Sequence, residues 1–126
     1  VLVGTLRRDG SPRISPVEPL LTDGQLYLGM MWQSKQASDL LRHPRCTIHN
    51  TVSDRKATEA ELKVYGRAVE VTSPDERQRL GDAVFDKIGF RSEEPEFHCF
   101  AIDIENVFSA KLRDEQFHHR VWKADG

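Results

Sequence analysis

Apolar and polar residues alternate through most of this chain, and helical spacing interrupts the alternation twice. Val1 to Arg7 reads as a strand, and Arg8-Asp9-Gly10-Ser11 after it is a hairpin signal, since glycine takes the positive φ a tight turn needs. Arg13 to Leu21 alternates and meets a second such signal at Thr22-Asp23-Gly24, after which Gln25 to Met31 is a third strand. These three strands predict an antiparallel meander. Ser34 then stands before Lys35 to Arg42, where Ala37, Leu40 and Leu41 recur at helical spacing. Its hydroxyl suits an N-cap, and Pro44 ends the helix just past His43. Arg45 to Asn50 returns to strand, and the polar run Thr51 to Ala60 reads as an exposed loop.

Glu61 to Thr72 is a long strand, with Gly66 marking a bulge or a close backbone approach. Its inward set is expected to change phase there, from Leu62 and Val64 to Val69 and Val71. Ser73-Pro74-Asp75-Glu76 is a capping box with proline in first helical position. Leu80, Ala83, Val84 and Ile88 give the second helix one apolar face, and Gly89 ends it. Phe97 to Leu112 predicts one or two strands, and Phe117 to Lys123 a last one. About six antiparallel strands with two short helices make a mainly β barrel with helical insertions. The helices join antiparallel strands, which disfavours a doubly wound sheet.

A length of 126 residues suits one domain, spanning 1–126. Apolar residues at 38% and charged residues at 30% describe an ordinary globular chain. A net charge of −2 without a basic stripe argues against nucleic acid, and no apolar run reaches membrane-span length. Cys46 and Cys99 lie far apart on predicted strands, so buried free thiols in a reducing cytoplasm are expected. The chain opens at Val1 inside a predicted strand without an initiating Met, so an N-terminal segment is expected before it.

Several stretches, in this order, resemble the pyridoxamine-phosphate-oxidase-like family. They are Asp9-Gly10-Ser11-Pro12-Arg13-Ile14-Ser15-Pro16-Val17, Asp23-Gly24-Gln25-Leu26-Tyr27-Leu28-Gly29, Ser34-Lys35, Leu40-Leu41-Arg42-His43-Pro44-Arg45 and Gly66-Arg67-Ala68-Val69-Glu70-Val71. The resemblance implies a split β-barrel, normally a homodimer, with FMN or the deazaflavin coenzyme F420 between subunits; some relatives bind haem instead. It implies cofactor contacts from Arg13, Ser15 and Pro16 on one strand, Gly29, Met30 and Met31 on another, Ser34 and Lys35 at the helix start, and Trp122 reaching the partner's site.

The residues themselves agree in part with this reading. Ser34 at a helix start offers a hydroxyl beside unpaired backbone N–H groups, and Lys35 adds a cation on the same turn, a setting for a phosphate monoester. The plain alternative is a capping serine followed by a solvated lysine. Where the oxidases continue with a second base this chain has Gln36, so another basic group must stand in or the phosphate is held less firmly. Arg13 either contacts the cofactor or faces solvent. Met30 and Met31 either make a polarizable wall for a flat ring or fill the core. Trp122 either reaches the partner's site or packs a dimer.

Phe117-His118-His119-Arg120-Val121-Trp122 does not reproduce the arginine–histidine signature with which the oxidases grip pyridoxine phosphate. The resemblance therefore implies a flavin- or deazaflavin-dependent reductase of another small molecule, with no catalytic acid or base identified. The alternative is a non-enzymatic flavin, deazaflavin or haem binder. His118 and His119 point to opposite strand faces, and no histidine has companions at zinc spacing, so no metal is expected. The acidic run Glu93-Glu94-Pro95-Glu96 reads as a solvated loop.

Overall fold

A computed structural model describes residues 1–51, 59–88 and 97–124. The strands are β1 (Leu2–Leu6), β2 (Pro12–Pro16), β3 (Pro19–Thr22), β4 (Gln25–Met31), β5 (Arg45–His49), β6 (Glu61–Glu70), β7 (Phe97–Arg113) and β8 (Gln116–Lys123). Helix α1 (Lys35–Arg42) follows β4, and α2 (Pro74–Ile88) follows β6. All pairings are antiparallel, in the order β2-β1-β5-β6-β7-β4-β3, with β8 added to the far half of β7. This is a split β-barrel, with eight strands among the described residues rather than about six.

The difference begins at the first three strands, which do not form a meander. β2 pairs β1 at one end of the sheet, whereas β3 pairs β4 at the other. Pro16 and Pro19 have no N–H to donate, so one continuous ladder cannot run through them. The chain leaves β2 at Val17, whose N–H bonds Val1 O at 2.9 Å, and crosses to the opposite end of the sheet. Both glycine turns form as expected. Asp23 and Gly24 carry φ of 53° and 73° in a two-residue loop between Thr22 and Gln25.

Val3, Leu28, Met30, Ala37, Leu40, Cys46, Ile48, Val64, Ala68, Phe100 and Ile102 form the barrel core. On the other side of the sheet Leu80 of α2 packs with Tyr27, Val71 and Cys99. α1 enters through Ser34, whose Oγ accepts from Ala37 N–H at 3.2 Å. Its inner face is Ala37 and Leu40, while Leu41 is half exposed. At α2 the Ser73 Oγ accepts from Glu76 N–H at 3.4 Å, but the Glu76 carboxylate accepts from the Tyr27 hydroxyl instead of returning to Ser73. Ala83 and Val84 are only partly buried, so Leu80 anchors that helix; Gly89 lies outside the described residues, and with it the expected helix end.

Gly66 marks both features its position suggests. A Cβ there would stand 2.5 Å from Asp103 O, and the ladder shifts register between Tyr65 and Gly66. The extra residue is on the partner strand: Tyr65 faces Asn106 and Gly66 faces Ile104, leaving Glu105 of β7 without a counterpart. β6 therefore keeps its phase, with Val64, Gly66 and Ala68 inward and Leu62 and Val69 exposed; of the expected later pair only Val71, just past the strand, is buried, against Leu80 of α2. Cys46 and Cys99 are buried free thiols, and burial raises each pKa to about 11. Residues 52–58 and the acidic run 93–96, both expected as loops, lie outside the described residues.

Candidate functional site

A groove of about 380 Å³ opens where the two ends of the sheet approach each other. One wall is β2 and the residues after it, from Arg13 and Ser15 to Glu18. The other is Gly29, Met30 and Met31 of β4, and the start of α1 closes one end with Ser34, Lys35 and Gln36. Eight of the nine residues expected at a cofactor are thus gathered here. Trp122 is not among them: it sits half exposed on β8, opposite Val107.

The helix start follows from local chemistry. Ser34 takes extended backbone angles, its N–H bonds Met31 O at 3.1 Å, and its Oγ caps the helix. The Oγ lone pair is thus engaged, while the O–H can still donate. Lys35 is exposed and forms no ion pair with a described residue. Gln36 turns inward, where Nε2 donates to Val3 O at 2.8 Å. It ties α1 to β1 and does not replace the missing base.

A basic side chain at this end of the groove comes instead from β2. Arg13 and Ser15 share the strand face of Thr5 and Val3, the face that α1 covers. Arg13 is therefore not solvated: its Nε donates to Asp39 Oδ2 at 2.7 Å, and its side chain is 22% exposed. Asp39 also accepts from Thr5 Oγ1 at 2.8 Å and from Arg42 Nη2 at 3.1 Å. A carboxylate buried this deeply holds two guanidiniums in fixed directions. Asp39, Thr5 and Arg42 were missed in the sequence. Their only signal was an acidic residue set between Lys35 and Arg42 on one helical stripe.

The methionines separate. Met30 is 8% exposed and packs in the core, because β4 points Leu28 and Met30 inward; Met31 points outward and is 82% exposed. Of the two methionines expected as a wall, Met31 presents an exposed side chain, and Met30 lines the groove while packed largely in the core. A Cβ built on Gly29 meets nothing within 4 Å, so this stretch of β4 faces open space. At the other end of the groove Glu18 pairs with Lys87 of α2 at 3.4 Å.

A second groove of about 460 Å³ adjoins the first and shares Arg13 and Lys35 with it. It lies between the β1–β2 turn and the outer stripe of α1. Among the described residues no three histidine, cysteine or acidic side chains converge for a metal, and no helix is long and apolar enough to cross a membrane. His118 and His119 lie on opposite faces of exposed β8, His119 stacked on Phe108.

Comparison with known proteins places this geometry. A pyridoxamine 5'-phosphate oxidase-related, FMN binding protein of Nostoc punctiforme is 18% identical, with a TM-score of 0.72 over 98% of this chain and 80% of its own. A conserved hypothetical protein of Mycobacterium tuberculosis is 19% identical, with a TM-score of 0.72 over 97% of this chain and 75% of its own. A heme binding protein of Mycobacterium smegmatis is 18% identical with a TM-score of 0.71; 94% of this chain spans about half, 51%, of that protein. These similarities establish the fold. No curated protein matches the chain. The family model described as pyridoxamine 5'-phosphate oxidase matches residues 1–111, and the chain belongs to that family.

Proposed function

We propose that this protein holds FMN or the deazaflavin F420 between two copies of itself and acts as a reductase of a small molecule. The observation that carries the reading is one groove with a cationic end and an open end. At the first, Lys35, the Ser34 hydroxyl and the Arg13 guanidinium are placed to hold a phosphate monoester at a helix start. At the second, Gly29 leaves room for a flat ring and Met31 offers a polarizable surface for it to lie on. When bound, the ring supplies the redox chemistry. The chain's residues bind and orient it: Asp39 fixes Arg13, Ser34 sets the helix start, and Gln36 holds α1 to β1. No side chain is assigned as acid or base.

Two copies are part of the proposal because Met31 leaves the open end uncovered, and a second copy would exclude water from it. Trp122, half exposed and away from its own groove, is the residue proposed to reach the partner's site. The FMN binding described for the Nostoc relative supports a flavin. The heme binding described for the M. smegmatis relative supports a second reading, a non-enzymatic carrier on the same barrel. The two buried thiols suit work in a reducing cytoplasm.

Visible absorbance of the purified protein, then titration with FMN, F420 and haem, separates these readings. A flavin or deazaflavin spectrum with micromolar affinity is expected, and a haem spectrum alone would select the carrier. Sedimentation with cofactor present should give a dimer; a monomer at micromolar concentration overturns the shared site. Pyridoxine phosphate should not be oxidised, because Arg120 is the one arginine from Gln116 onward, and loss of each bidentate contact costs about tenfold or more. Robust hydrogen peroxide production from it would refute that part.

A further inference from the structure

The second groove gathers five cations: Arg7 and Arg8 at the end of β1, Arg13 of β2, and Lys35 and Arg42 of α1. Two carboxylates line it, and both are engaged. Asp39 is 1% exposed and bound by Thr5, Arg13 and Arg42. Asp9 Oδ1 accepts from the Ser11 hydroxyl at 2.6 Å and from Ser11 N–H at 2.9 Å, and these bonds, with a smaller effect of the nearby Arg7 charge, lower its pKa. Arg7, Arg8 and Lys35 form no ion pair with any described residue. The chain has 20 acidic and 18 basic residues, so this excess of cations over the two carboxylates runs against its overall balance.

Direction along β2 orders the parts. Val17 and Glu18 line only the first groove, Arg13 lines both, and Arg7, Arg8 and Asp9 line only the second. A phosphate held by Ser34 and Lys35 therefore stands between the ring end and the Arg7–Arg8–Arg42 cluster. A monoester there leaves Arg7 and Arg8 without an ion-pair partner among the described residues, and Arg42 shares the single Asp39 carboxylate with Arg13. Arg42 is already oriented by Asp39 and loses less freedom on binding an anion.

We propose that this second groove is a subsite for a further anionic group, phosphate or carboxylate, beyond the cofactor's own phosphate. The position of that phosphate rests on the function proposed above; the subsite itself does not. The group can be an anionic extension of the cofactor or a separate small polyanion, since the same guanidiniums recognise either.

Inorganic pyrophosphate, titrated calorimetrically into the whole protein with and without saturating FMN, tests this. Wild type should bind it, more weakly as salt rises. Arg7→Gln with Arg8→Gln should weaken it about tenfold or more, while FMN affinity stays within about twofold. Ser38→Asp, which adds a carboxylate from an exposed position on the groove wall, should also weaken pyrophosphate binding without touching the strand. Pyrophosphate binding to FMN-saturated protein identifies a separate ion. If instead FAD or carboxylate-tailed F420 binds tighter than FMN, and the double variant abolishes that gain, the group is a cofactor extension. Failure of wild type to bind pyrophosphate, or equal binding by both variants, overturns the subsite. So does an FMN loss in the double variant as large as in Lys35→Ala, since the two grooves would then be one phosphate site. Arginine-dependent pyrophosphate binding without binding of either FMN or F420 keeps the subsite and refutes the cofactor.

Discussion

Arg13 of β2 and Asp39 of α1 meet through a 2.7 Å hydrogen bond from Nε to Oδ2, joining an end strand of the sheet to the helix that begins at the candidate phosphate site. Asp39 is almost wholly buried, and Thr5 and Arg42 complete its partners. Asp39→Ala should cost about 2–4 kcal/mol in chemical denaturation, because it strands two guanidiniums and a hydroxyl. Both arginines keep some access to water, which places the loss below that of a fully buried pair. Asp39→Asn, which retains one acceptor oxygen, should cost less. Equal stability of Asp39→Ala and wild type would remove the argument that Asp39 organises the groove.

Lys35→Ala should weaken a phosphorylated cofactor by about 1.5–3 kcal/mol, the scale of one charge-assisted hydrogen bond. Ser34→Ala should cost less, because the backbone N–H groups at the helix start remain. Fluorescence titration with FMN measures both. Unchanged binding by Lys35→Ala would move the phosphate elsewhere.

Gly66→Ala should destabilise the fold by about 2–3 kcal/mol, since its Cβ would press on Asp103 O, a backbone atom held in the β6–β7 ladder. The midpoint of urea unfolding reports this directly, and a midpoint like that of wild type would show that the strands separate without cost.

Cys46 and Cys99 should resist alkylation at pH 8 in the folded protein and react in denaturant. Burial holds both pKa values near 11, so on the order of a thousandth of each is thiolate. A folded pKa raised above the unfolded value contributes stability that is complete below the unfolded pKa and lost as pH rises through the folded one. Tyr27, raised by burial and by Glu76, acts in the same direction. Stability should therefore fall between about pH 9 and pH 11. Mass spectrometry of native alkylation and denaturation midpoints across that range check the two statements.

Local chemistry along the chain determined most of the strands and both helices, where α1 and α2 begin, and the two glycine turns, but not the break of Arg13 to Leu21 into β2 and β3. Each depends on neighbours within a few residues: Ser34 capping Ala37, Ser73 capping Glu76, and positive φ at Gly10 and Gly24. Family membership was legible for the same reason, since its motifs are strings of such local features. Tertiary structure alone decided that β2 and β3 lie at opposite ends of the sheet, because alternation fixes a strand's faces but not its partners. It also decided that the bulge belongs to Glu105 rather than to β6, as an extra residue exists only relative to a paired strand. The same holds at the site. Met30 and Met31 are equivalent in composition until the barrel assigns one to the core and leaves the other exposed. Arg13 becomes a fixed cation only when folding brings Asp39, 26 residues later, beneath it. Such contacts join residues distant in the chain, and periodicity carries no record of which distant faces will meet.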